Sequence, residues 1–130
     1  MATTTIAKLL LLALVVILVQ GSSGQRCSVK DVQVQTVTTS RSGGNGNLLF
    51  EVAVKNLCPC SVRNVRIDGR GFDSTLQVDP SVFRAEGGGI YLLNGGGPIA
   101  SMATVSFVYS WDHYFQLTPK SLDVEEDRCS

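Results

Sequence analysis

Cys27, Cys58, Cys60 and Cys129 are the residues of this chain best equipped for chemistry, and all four lie downstream of an apolar run from Leu9 to Val19. Exported thiols oxidise, so the pattern reads as a set of disulfides. A metal centre would need a CxxC repeat or a neighbouring histidine, and the single histidine, His113, is far away in sequence. No metal and no cofactor are therefore expected. Four cysteines allow three pairings. Joining Cys58 to Cys60 across Pro59 alone closes a tight, strained ring. Both remaining pairings tie Cys27 to one member of that couple and Cys129 to the other, fastening both ends of the mature chain to one corner. Each link stabilises a domain of this size by about 2–5 kcal/mol.

Other reactive constellations are sparse. The chain has no GxSxG, no phosphate loop and no HExxH. Asp112-His113 follows Trp111 at a strand end, but adjacent strand residues point to opposite faces, which weakens an acid/base pair. Nothing in the spacing of Asp68, Asp73 and Asp79 favours the paired carboxylates of a glycosidase. The expectation is a protein without catalysis. Two binding surfaces remain. Lys55, Arg63, Arg66 and Arg70 cluster in the middle, with Arg84 beyond them, and Asp123, Glu125, Glu126 and Asp127 lie near the end. These are either solvated surfaces or the electrostatic half of a protein-binding face. Trp111 and Tyr114, with Phe115, either plug the open end of the fold or stack on sugar rings, as in a cell-wall polysaccharide-binding module.

The elements that must position these residues follow a period of two. Val29 to Thr38 suits a half-buried strand, with Val32 and Val34 on one face and Gln33 and Gln35 on the other. A loop is expected over Ser40 to Asn47, rich in glycine and asparagine. Leu48 to Asn56 places Phe50, Val52 and Val54 inward, and Val62 to Asp68 does the same for Val65 and Ile67. Cys58-Pro59-Cys60 is the turn between them. Ile90 to Leu93 is a short strand closed by Asn94-Gly95-Gly96-Gly97-Pro98. The best strand runs from Ala103 to Trp111, and Phe115, Leu117, Leu122 and Val124 supply one or two closing strands. With no long helical repeat, the fold class is all-β, a single small disulfide-stapled β-sandwich over residues 25–130.

The apolar run is eleven residues, short of the roughly 20 that cross a bilayer as a helix. Lys8 upstream and small residues downstream make residues 1–24 a cleaved signal peptide, with cleavage after Gly21 or Gly24. Removing 24 of the 130 residues leaves 106, with 10 basic and 11 acidic side chains once Lys8 is gone, a net charge of −1. No bulk field points to nucleic acid. The polar C-terminus, Glu125 to Ser130, matches neither a lipid-anchor tail nor a retention signal, so the mature protein is expected outside the cell without a membrane span.

The ordered series Phe50-x-Val52-x-Val54-x-Asn56-x-Cys58, Asn64-Val65, Gly69-x-Gly71-Phe72-x-Ser74, Val78-x-Pro80-x-x-Phe83-Arg84, Tyr91-Leu92-x-Asn94-x-Gly96-x-Pro98-Ile99 and Val105-x-Phe107-x-Tyr109 resembles the small secreted plant proteins of the TAPETUM DETERMINANT type. The resemblance runs from about Cys27 to Cys129. It implies an extracellular, apoplastic signal presented to a leucine-rich-repeat receptor kinase and controlling cell fate in the anther, with Arg63, Arg66, Arg70 and Arg84 as the partner-facing cations. This chain departs from the pattern by holding Asp68 and Tyr91 where the family usually has two further cysteines. Their joint absence implies that those cysteines bond to each other in relatives and that this is a divergent branch.

Overall fold

Alternating side chains need two apolar faces to meet, and here they do so as two antiparallel sheets in a computed structural model that describes residues 27–42 and 46–130. The expected signal peptide and residues 43–45 of the expected loop lie outside the described residues. Seven strands follow in order: β1 Val32–Ser42, β2 Leu48–Asn56, β3 Cys60–Asp68, β4 Phe83–Gly87, β5 Ile90–Leu93, β6 Thr104–Trp111 and β7 Thr118–Cys129. One sheet has the order β1-β2-β6 and the other β4-β5-β3-β7.

The pairing register explains the core. Val34 pairs with Val54 and Val54 with Val105, while Phe50 pairs with Tyr109 and Val52 with Phe107, so the inward rows of the first sheet are almost entirely apolar. Val65 and Ile67 of β3 and Phe83 and Leu93 of the other strands answer them, all buried. The Phe83 and Phe107 rings stack across the gap with centroids 4.2 Å apart, joining β4 of one sheet to β6 of the other.

Several boundaries differ from the sequence reading, among them the start of β3, at Cys60 rather than Val62. β1 begins after a 3-10 turn at Val29–Asp31, because Ser28 and Asp31 cap each other's backbone: the Ser28 N–H donates to the Asp31 carboxylate at 2.8 Å. It then runs on to Ser42, which pairs with Leu48, so part of the expected loop is strand. The closing segment is one strand of twelve residues rather than two short ones, held to β3 despite register shifts that absorb its irregular apolar pattern.

Phe72 is a partly buried ring, packed against the core, that alternation does not reveal. It lies outside any strand, in the long β3–β4 connection, and meets the rings of Phe83, Tyr91, Tyr109, Trp111 and Phe115 edge-on at 5.0–6.0 Å. The connection is pinned over the end of the sandwich by the β6 backbone. The Ser110 N–H donates to Ser74 Oγ at 3.0 Å, and the Thr75 N–H donates to the Ser110 carbonyl at 2.8 Å. Phe72 is thus the centre of the plug at that end, a place the sequence reading offered to Trp111, Tyr114 and Phe115; Trp111 and Phe115 pack on Phe72, and Tyr114 is exposed. Phe72→Ala should lower stability by about 2–4 kcal/mol in chemical denaturation, because five rings lose a common neighbour and the gap cannot fully close. Phe72→Leu should lower it by less than half as much.

Candidate functional site

Asn56 makes the Cys58-Pro59-Cys60 corner. Its side chain is buried, its Oδ1 accepts the Cys58 N–H at 2.9 Å, and its Nδ2 donates to the carbonyls of Cys60 at 2.9 Å, Ile99 at 3.0 Å and Ala100 at 3.2 Å. One amide therefore closes the turn between β2 and β3 and fastens the β5–β6 connection to it. Ser101 Oγ donates to the Cys58 carbonyl at 2.6 Å, and the Ser130 N–H donates to the Pro59 carbonyl at 2.8 Å. Two disulfides converge on this frame, Cys27–Cys58 and Cys60–Cys129, separated by 31 and 69 residues in sequence. In the chain-entropy model, loops of these lengths stabilise by roughly 3–5 kcal/mol each. Cys27, Cys58 and Cys60 form the one convergent group of potential metal-ligating atoms among the described residues, and every one of them is consumed by a disulfide.

The arginines spread over the outer face of the β4-β5-β3-β7 sheet. β3 carries a bulge at Asn64, whose left-handed backbone, φ 50°, keeps Arg63 and Arg66 on one face although they are three residues apart. Arg63 stands opposite Asp123 of β7, and Arg66 stands opposite Ser121 on one side and Leu92 on the other, with Arg84 beyond Leu92. Leu92 is outward yet buried, because the turn at Asn94–Gly96 folds over it. A Cβ at Gly96, φ +79°, would stand 2.9 Å from Asn64 Oδ1 and 3.4 Å from Leu92.

Two of the four cations are engaged locally. Arg66 Nε bonds Glu86 at 2.8 Å, and Arg70 lies 3.5 Å from the Asp68 carboxylate. The Arg70 backbone N–H, and then its guanidinium, hold the Asp68 carboxyl below the usual carboxylate range. Among the described residues Arg63 and Arg84 form no salt bridge, and both are exposed.

The remaining candidates are arranged differently. Trp111 is half-buried, its ring 6.0 Å from those of Phe72 and Phe115 and 4.0 Å from His113. Tyr114 is 55% exposed, with its ring 6.3 Å from Phe50. One ring of the pair is therefore committed to the interior while the other faces solvent. His113 Nδ1 bonds the carboxylate of its neighbour Asp112 at 2.5 Å on the exposed surface. Asp73 and Asp79 are each satisfied by their own turns, Asp73 by the Ser74 N–H and Asp79 by the N–H and hydroxyl of Ser81. A recess of about 410 Å³ lies elsewhere, between Cys27–Val29 and the Leu122–Val124 stretch of β7.

Asp68 and Tyr91 stand on neighbouring strands but not side by side. Asp68 pairs with Ile90 and Tyr91 with Ile67, so Asp68 faces out while the Tyr91 ring faces in, stacked on Phe83 at 4.4 Å. In this register cysteines at those two positions would not face each other. The backbone position that does face the ring is Gly69, where a Cβ would lie 2.8 Å from Tyr91 and 3.2 Å from Leu117. The tyrosine fills that space with packed aromatic surface instead of a covalent link.

The family model described as Tapetum determinant 1, C-terminal, matches residues 23–125. The chain belongs to that family. An uncharacterized protein of Arabidopsis thaliana is 36% identical over 112 residues, covering 84% of this chain and 87% of its own length. No solved structure matches. The family is consistent with a small secreted signalling protein rather than an enzyme. Within the motif series that resembles the family, Asn56, Cys58, Phe72, Gly96 and Ile99 each have a structural task.

Two outcomes follow from the corner and the aromatic cluster. Asn56→Ala removes the donor shared by three carbonyls and the acceptor for Cys58, and should cost about 2–3 kcal/mol in denaturant unfolding without altering the disulfides. Burial pushes the Tyr91 and Tyr109 phenols above the usual tyrosine range, aided for Tyr91 by Asp73 and partly offset for Tyr109 by its bond with the Phe115 backbone. Because the neutral forms are favoured by folding, their contribution is present below the ordinary value near 10 and is lost as pH rises through the raised folded values. Phenolate absorbance followed with circular dichroism should show these two tyrosines ionising late, together with loss of structure.

Proposed function

We propose that this protein is a secreted, non-enzymatic signalling protein of the plant apoplast, a ligand for the ectodomain of a leucine-rich-repeat receptor kinase acting in cell fate or reproductive development. The observation that carries this reading is the family match over residues 23–125, which spans nearly all of the described sandwich. The physical character of the surface supports it. A ligand needs a rigid scaffold and an exposed charged face more than a cleft, and the disulfide-tied sandwich offers Arg63 and Arg84, both exposed, on one sheet face. Unpaired cations of this kind steer association with an acidic surface and fix its register.

The test is binding of the secreted domain to a panel of receptor ectodomains. At least one should bind at micromolar concentration or tighter, and Arg63→Glu with Arg84→Glu should weaken that binding by about tenfold or more, mostly through the association rate. No binding to any ectodomain at micromolar concentration would overturn the proposal.

A further inference from the structure

The sulfurs at the corner lie closer than two independent staples require. The Sγ atoms of Cys27, Cys58 and Cys60 are all within 4.8 Å of one another, and the three residues are at most 2% exposed. Cys129 is different. It is half-buried at the very end of β7, its Sγ 3.3 Å from the Glu126 carbonyl oxygen in an exposed setting. A second detail concerns charge: the Cys60 backbone N–H donates to Cys58 Sγ at 3.2 Å. That donor is placed to stabilise negative charge on Cys58 if it becomes a thiolate.

We propose that this corner is a thiol-triggered disulfide-exchange site, at which a small-molecule monothiol of the glutathione class converts the map Cys27–Cys58 with Cys60–Cys129 into Cys27–Cys60 with Cys58–Cys129. The thiolate attacks Cys129 Sγ, the accessible sulfur, forming a mixed disulfide there and releasing Cys60 as a thiolate. Cys60 then attacks Cys27 Sγ, a sulfur already within 4.8 Å. The Cys27–Cys60 bond forms, the Cys27–Cys58 bond breaks, and Cys58 leaves as a thiolate held by the Cys60 N–H. Cys58 finally attacks Cys129 Sγ of the mixed disulfide and expels the monothiol unchanged. Two disulfides enter and two leave, so no net oxidation or reduction occurs. Attack of Cys60 on Cys58 instead would close the strained ring across Pro59, which directs the exchange to Cys27. Both maps tie the same chain ends to the same corner, so the swap re-aims the tether of β7 without unfolding the sandwich.

The intact secreted protein is incubated with reduced glutathione under native conditions, quenched with acid and N-ethylmaleimide, and mapped by mass spectrometry with fragmentation at the Cys58–Pro59 bond. A Cys27–Cys60 linkage should appear in the thiol-treated sample and be absent from the untreated one. Recovery of only Cys27–Cys58, with glutathione or maleimide on Cys60, would overturn the proposal. The variant Cys129→Ser gives a second, thiol-free readout because it leaves Cys60 unpaired. Maleimide should then divide between Cys60 and Cys58, with about a tenth or more on Cys58. Label on Cys60 alone in a variant with the native circular dichroism spectrum would count against exchange. A variant that does not fold leaves the wild-type measurement to decide.

Discussion

Everything in this fold is referred to one buried amide. The Asn56 side chain closes the Cys58-Pro59-Cys60 turn and holds the carbonyls of Ile99 and Ala100, while its own backbone N–H donates to the Ala103 carbonyl at 3.0 Å and its carbonyl accepts the Met102 N–H at 2.7 Å. It therefore joins β2, β3 and the connection that leaves one sheet for the other. Buried polar groups are costly unless fully satisfied, and satisfaction of all these at once is available in one arrangement only. The disulfides add their constraint at the same point. One brings the chain entrance at Cys27 to Cys58, and the other brings the chain exit at Cys129 to Cys60. A small sandwich with modest apolar area thus obtains both its register and its closure from a few residues.

That concentration explains which parts of the architecture the sequence made legible. β2 and β5 appear with the bounds the sequence assigns them, and β6 starts one residue later than the pattern suggests; β2 and β6 bury one face and expose the other, while β5 is a short apolar run marked off by glycines on both sides. β7 was harder to read, since an edge strand tolerates an irregular pattern and here slips register twice against β3 below its Cys129 end. Phe72 was legible only as a family motif. A ring delivered from a loop has no periodicity, and its burial depends on the Ser74 and Thr75 hydrogen bonds to β6 that no local pattern encodes. The facing of Asp68 and Tyr91 was hidden for a related reason. Proximity of two strand positions does not place them on the same face, and it is Gly69 that faces the Tyr91 ring.

The candidate binding surface was legible as a set of arginines but not as a charge distribution. Arg63, Arg66 and Arg84 do share one sheet face, yet Glu86 and the Asp68–Arg70 contact absorb two of the four charges locally. Exposed ion pairs of this kind add little stability. Their effect is to narrow an apparent basic patch to two separated cations on that face, Arg63 and Arg84. Such a surface favours a partner chosen by geometry over one held by bulk charge, in keeping with a chain whose formal net charge is 0.

The claim on which the rest depends is that Cys27 and Cys129, at the two ends of the sandwich, meet at the corner by separate bonds. It is tested most directly by the disulfide map of the untreated secreted protein, obtained with fragmentation at the Cys58–Pro59 bond. Cys27–Cys58 and Cys60–Cys129 are the linkages predicted. A Cys58–Cys60 bond accompanied by Cys27–Cys129 would contradict the account, because the ends would then be tied to each other and the corner would be left to Asn56 alone.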